Sequence, residues 1–303
     1  MEMGLKTVLG LVTIAIILWV GYVVYAAFTS QPEVNARWGQ VTEDRTEIVL
    51  EGRLNKPLAV PLSLENLTVE FMGIPVMGVE EFNYSALGKE LEIVLAVENR
   101  NLVRALVRYL DNGQRGTVLV LFRSRLLGII PIDYDLRREV SEDILASLNF
   151  TAESREIAGG LVKTPALVGT TFDWAGEEKG KAVLIAHMKF YNPNRFPVPV
   201  GNVSFEAYAN DIKVAYGETR NRVVIPANGY AVLDLRAYII EDSLPKAWVR
   251  HVRNGEVSRL RANVFLSLDF MGQSYRVRLA SYEETMKTEI METLNEMLDE
   301  ILG

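Results

Sequence analysis

Residues 247–268 read AWVRHVRNGEVSRLRANVFLSL, and the spacing of apolar residues changes partway through that run. Upstream, Leu244, Ala247, Trp248 and Val252 recur at helical intervals, with Pro245 at a position suited to a helix start. Downstream, Leu260, Ala262, Val264, Leu266 and Leu268 alternate with Arg259, Arg261, Asn263 and Ser267. Asn254-Gly255 separates the two patterns, and such pairs mark turns that need positive φ; Asn112-Gly113 and Asn228-Gly229 are read the same way. The stretch therefore predicts a short helix over 243–253, a tight turn, and a strand with one wet face.

The same grammar occurs 142 residues earlier. Ala105–Gln114 is ALVRYLDNGQ and Ala247–Glu256 is AWVRHVRNGE, identical at five of ten positions. Other pieces follow in matching order: Asn66-Leu67-Thr68-Val69-Glu70 answers Asn202-Val203-Ser204-Phe205-Glu206. Period-two alternation runs through both halves, with Leu91, Ile93, Leu95 and Val97 in the first and Leu184, Ala186, Met188 and Phe190 in the second. Ordered self-similarity of this kind predicts tandem domains. Pro57 and Pro61, like Pro197 and Pro199, remove ladder donors, which places their segments at sheet edges or crossovers.

The expected fold class is mainly β, with two tandem antiparallel β-sandwiches, each carrying a short helix. The expected boundaries are 1–30 for an anchor, 31–150 for the first sandwich and 151–165 for a linker. The second sandwich follows at 166–280, and an acidic amphipathic helix at 281–303. Thr7–Phe28 contains no charged residue, and its 22 residues at ~1.5 Å rise are long enough for a transmembrane helix. Val24-Tyr25-Ala26 also permits a cleaved signal peptide, but the apolar run exceeds the usual ~7–15 residues of such leaders, so an uncleaved anchor is expected. A short N-terminal tail, together with sequons at Asn66, Asn83, Asn149 and Asn202, places the sandwiches outside the cytoplasm of a single-pass membrane protein.

Composition narrows the chemistry. The chain has no cysteine and two histidines, which removes disulfides, thiol nucleophiles and most zinc or iron–sulfur sites. Neither a metal nor a cofactor is expected. A net charge of −7, with no basic aromatic stripe, argues against nucleic acid. Residues 281–303 alone carry −6 of that charge, so the acidity belongs to a tail.

The segments YNPNRFPVPVGNVSFEAY (191–208), VVIPANGYAVLDLRA (223–237) and AWVRHVRNGEVSRLRANVFLSL resemble the folded, group-2 late-embryogenesis-abundant proteins. These carry the water-stress-and-hypersensitive-response domain. The resemblance covers 181–280 well and 46–137 loosely, because Asn55-Lys56-Pro57 replaces the Asn-Pro pair and the Ile-Pro-Ala turn is missing there. It implies a fibronectin-like sandwich with a helix, a link to stress tolerance, and no known catalytic residues.

Arg108 and Arg250 occupy equivalent repeat positions, where pairing inside each sandwich competes with ligand contact. Arg259, Arg261, Arg276 and Arg278 would form a basic patch for anionic headgroups or glycans if their strands pair. His187 falls on the wet phase of its strand, and His251 sits where the first copy has Tyr109. Asp133 and Asp135 make a wet acidic strand face, too few ligands for calcium. Met286, Ile290, Leu294, Met297, Leu298 and Ile301 form an apolar stripe on the C-terminal helix, expected to mediate self-association or docking of a protein partner. The expected function is a membrane-anchored, non-catalytic, stress-protective or envelope-associated binding role. A surface module recognising a glycan or protein is the alternative, and a hydrolase has little support.

Overall fold

The computed structural model describes residues 32–54, 62–85, 88–126, 128–146, 151–219, 222–270 and 273–302. The expected anchor Thr7–Phe28 lies outside the described residues. Among the described residues, no helix is long and apolar enough to cross a membrane. The chain is mainly β, with two antiparallel sheets, one of them curled into a half-barrel, and short helices.

The described residues divide into two compact units. One takes residues 32–142 together with Val252–Glu256 and 288–302, and the other takes Asp143–His251 and Val257–Lys287.

The first unit runs β1 (Pro32–Val41), β2 (Arg45–Leu54), β3 (Leu62–Phe71), β4 (Ile74–Tyr84), β5 (Glu90–Glu98), α1 (Asn99–Asp111), β6 (Arg115–Leu126) and β7 (Ile130–Ser141). Its sheet order is β1-β2-β5-β4-β3-β6-β7. Leu50, Val69, Phe71 and Leu95 are buried, as are Ala105 and Tyr109 of α1. Buried Asn99 starts the helix: its amide donates to the carbonyls of Thr42 and Glu43, and its oxygen accepts from Thr46 Oγ1.

The second unit opens with the β8 (Glu156–Ile157)–β9 (Val162–Lys163) hairpin. Then come β10 (Ala166–Glu178), β11 (Lys181–Tyr191), β12 (Val198–Ala209), β13 (Ile212–Glu218), β14 (Val223–Ile225), β15 (Tyr230–Ile239), α2 (Leu244–Arg253), β16 (Val257–Phe270) and β17 (Gln273–Lys287). The order is β10-β11-β15-β13-β12-β16-β17, with β14 paired to β12. Position for position this is the connectivity of the first sheet, with β14 added. Val183, Phe190, Val203, Leu235 and Leu266 lie in its core. The chain ends in α3 (Ile290–Leu302).

Three expectations change. Hydrogen bonding runs unbroken through each sheet, where two facing sheets had been expected. Bulges at Val69/Glu70, Val79/Glu81, Ala207/Tyr208 and Val264/Phe265 raise the local twist, which lets one sheet fold over its own core. Pro199 sits near the start of β12, an interior strand, where Val198–Val200 pair with the short β14. The β12–β16 ladder begins only at Val200, so Pro199 lies beyond its end and its missing donor interrupts no β16 pairing. Finally, the helix expected from residue 281 starts at Ile290, because β17 continues to Lys287. Met286 is therefore a strand residue.

Candidate functional site

The Asn192-Pro193-Asn194 loop of the second unit is built around a buried amide. Asn192 Nδ2 donates to the carbonyls of Phe196, Ile225 and Pro226 at 2.8, 3.2 and 3.1 Å. Its Oδ1 accepts from the Asn194 backbone and side chain at 3.0 and 2.8 Å. Asn194 also accepts from Lys163 N and donates to Lys163 O. The loop is thereby joined to the 226–229 turn, where Asn192 N meets Gly229 O and Asn228 N meets Asn194 O. The Asn-Pro-Asn run belongs to the segment that carries the family resemblance, but the bonds from Asn192 to the Ile225 and Pro226 carbonyls, 33 and 34 residues away, had no local signal.

The repeat arginines perform one task twice. Arg108 Nη1 donates to Met72 O at 3.0 Å, and Arg250 Nη1 to Asn210 O at 2.5 Å. Met72-Gly73 and Asn210-Asp211 are the left-handed residue pairs of the β3–β4 and β12–β13 hairpins. In each unit, a helix-borne guanidinium thus holds the first carbonyl of the neighbouring hairpin turn. The helix exits also correspond: Gly113 and Gln114 have φ of 66° and 59°, Gly255 and Glu256 72° and 62°. At the Tyr109/His251 position, Tyr109 OH accepts from Glu142 N and donates to Glu142 O, while buried His251 pairs with Ser258 Oγ.

His187 is not simply solvated. Its Nδ1 lies 2.7 Å from Asp234 Oδ1 on β15, and its Nε2 lies 3.0 Å from Asp173 Oδ2 on β10. Hydrogen bonding to Asp234, then to Asp173, raises the imidazole's pKa above its ordinary value. Because both ring nitrogens are spent on separate carboxylates, the three groups do not converge on a common point. Among the described residues, no group of three His, Asp or Glu is arranged to hold a metal ion. Asp133 and Asp135 face Arg123, and its hydrogen bond holds the Asp135 carboxyl below the usual carboxylate range.

The expected basic patch is interrupted. β16 and β17 do pair, but Glu283 stands opposite Arg261 and bonds Arg259, while Asp211 pairs with Arg261 at 3.1 Å. The register puts Arg276 and Arg278 further along the ribbon, opposite Ser267 and Phe265; Arg276 lies over the Phe265 ring at 4.2 Å. The sequence could not show which carboxylates the ladder would interleave.

The C-terminal stripe is covered within its own unit. Ile290, Leu294 and Leu298 are buried, and α3 packs along β1. Asn295 accepts from Ala36 N at 2.6 Å and donates to Ala36 O at 3.1 Å, closing part of the outer edge of β1. At the helix start, buried Glu256 accepts from Ile290 N (2.5 Å), Met291 N (3.0 Å), Thr288 Oγ1 (3.1 Å) and Trp38 Nε1 (3.1 Å). The apolar face expected to meet a partner is thus turned inward at these positions; the side chains of Met297 and Ile301 lie outside the described residues.

Residues 187–280 match the LEA_2 family, described as late embryogenesis abundant protein. Residues 187–280 therefore carry an LEA_2-type domain, and members of that family are generally non-catalytic. No curated protein matches the chain. Among solved structures, a protein from Archaeoglobus fulgidus shares 20% identity over 40% of this chain and 97% of its own, at a TM-score of 0.35. An Arabidopsis thaliana protein shares 12% over 45% of this chain and 91% of its own, at 0.27. A conserved domain protein from Bacillus anthracis shares 9% over 86% of this chain and 91% of its own, at 0.20.

Proposed function

We propose that this chain is a membrane-anchored, non-catalytic, stress-protective protein whose tandem β units stand outside the cytoplasm and act through their surfaces. The LEA_2 match over 187–280 carries the reading. The uncharged Thr7–Phe28 segment and the four sequons support the anchor and its orientation. The shared strand order and the matched Arg108 and Arg250 bonds support duplication of one unit. In the charged side chains described above, hydrogen-bonding capacity goes to closing turns and ladders, which suits a binding surface better than a reaction centre. A partner docking on α3, or a second copy of the chain, meets its exposed acidic side, Glu292, Glu296 and Asp299.

The test is alkaline carbonate extraction of membranes, followed by protease shaving of intact cells. Retention of the chain in the washed membrane and cleavage from outside are expected. Release by carbonate overturns the anchor, and full protection from external protease overturns the orientation. Drying and rehydrating cells with and without the chain tests the protective role, and equal survival counts against it.

A further inference from the structure

Over most of the outer face of the second sheet, charged groups close on one another: His187 with Asp173 and Asp234, Arg236 with Glu178, Arg261 with Asp211. One end of that face is different. Tyr230 and Val232 on β15 are 58% and 55% exposed, Val224 on β14 is 61% exposed, and Phe196 at the loop tip is 43% exposed. The 192–196 loop is bonded to the 226–229 turn that leads into β15, and β14 packs beside β15, so these side chains lie at one end of the sheet. Tyr191 is opposite Tyr230 with ring centroids 5.0 Å apart, Lys189 is opposite Val232, and Val224 is opposite exposed Pro199. The tip carrying Phe196 is held by the buried Asn192 amide, so this stripe is a built surface and not a frayed end. Contiguous exposed apolar side chains on a well-ordered sheet mark an interaction site.

The charges choose the occupant. Lys189 Nζ lies 5.1 Å from the centre of the Tyr230 ring, and exposed Arg195 adjoins Phe196. The carboxylates nearest in register, Asp234 and Asp173, are engaged by His187. Two copies meeting through this stripe would set its cations against each other, a juxtaposition that costs affinity. An anionic surface satisfies both features together: aromatic rings suit the headgroup level, aliphatic side chains reach shallowly below it, and the cations meet phosphate.

We infer that Phe196, Val224, Tyr230 and Val232, with Lys189 and Arg195, form a docking surface for an anionic phospholipid bilayer. The inference rests on the membrane reading above for the proximity of a bilayer, and it is read out at different residues.

The chain has no cysteine, so Phe196→Cys and Val232→Cys each accept one polarity-sensitive fluorophore without background labelling. The labelled full chain is reconstituted into vesicles of phosphatidylcholine, with or without phosphatidylglycerol, and compared with Thr285→Cys on β17. Blue-shifted emission, quenched by brominated lipid, is expected at 196 and 232 with phosphatidylglycerol, and not at 285. Lys189→Glu and Arg195→Glu should weaken that response by roughly fivefold or more per cation lost. Water-like emission at 196 and 232 on anionic vesicles overturns the inference. A shift that vanishes when the chain is diluted in excess lipid also overturns it and assigns the stripe to a second copy; a response indifferent to phosphatidylglycerol overturns the charge argument. Release of the chain by carbonate refutes the anchor alone. The released labelled chain, added to fresh anionic vesicles at neutral pH, still reads docking through the same shift.

Discussion

Replacing Glu256 by alanine should release the C-terminal helix. The carboxylate receives two backbone N–H groups from the first turn of α3, the Thr288 hydroxyl and the Trp38 indole. Losing a helix cap costs about 1 kcal/mol, and leaving the buried Ile290 N–H without an acceptor adds about 1–3 kcal/mol. Water reaches the half-buried Thr288, Met291 and Trp38, so their donors add little. A total of about 2–4 kcal/mol corresponds to roughly a 30- to 700-fold rise in the opening of α3. Hydrogen–deuterium exchange reads this directly, with faster exchange expected across 291–298 and at Ala36, whose amide Asn295 holds. Glu256→Gln keeps the size and one acceptor oxygen but turns an NH2 toward N–H donors, so it should fall on the same side as alanine. Thr288→Ala removes one half-buried donor to the carboxylate and leaves its two backbone bonds in place, so it should open α3 far less than Glu256→Ala. Unchanged α3 protection in Glu256→Ala would refute the claim that this carboxylate caps the helix.

Three further outcomes are expected. His187 has a raised folded-state pKa, so its stabilisation is complete below the unfolded value of about 6.5 and is lost as pH rises through the folded pKa. Melting curves of the parent should decline across that window and those of His187→Gln should not; an NMR titration midpoint at or below 6.5 would contradict the paired geometry. Arg108→Ala and Arg250→Ala should each cost about 0.5–1 kcal/mol, additively, and loosen the Met72 and Asn210 hairpins respectively; effects confined to ligand binding, with stability unchanged, would show that the hairpin bonds are incidental. Asn192→Ala should cost about 2–4 kcal/mol by leaving the Ile225 carbonyl and the Asn194 amide without partners, and Asn192→Asp should cost more, since it aims a charge at three carbonyls. Urea titration measures both, and equal midpoints for the two variants would argue against the donor role.

Strand identity, the Asn-Gly helix exits and the repeat were legible in the sequence because each is written in neighbouring residues. Period two sets which side of a strand is buried, and Gly113 and Gly255 adopt the positive φ the pattern requires. At Asn228-Gly229 it is Asn228 that takes the left-handed conformation, a detail set by the loop it closes. The family resemblance over 181–280 was legible for the same reason, since its turns and strands occur in order along the chain.

Whatever depended on partners far along the chain was decided by the tertiary structure. The carboxylates on His187 stand 14 and 47 residues away, and no spacing rule connects them. The four arginines looked like one patch because their own positions were known and those of Glu283 and Asp211 were not. The stripe on α3 announced that it must be buried, and the sequence determined that much, because apolar area seeks cover wherever it lies. Burial is non-directional, so the pattern could not name the covering surface. Hydrogen bonds are directional, and the Glu256 carboxylate and the Asn295 amide fix α3 to β1 through geometry that exists only once the sheet has formed.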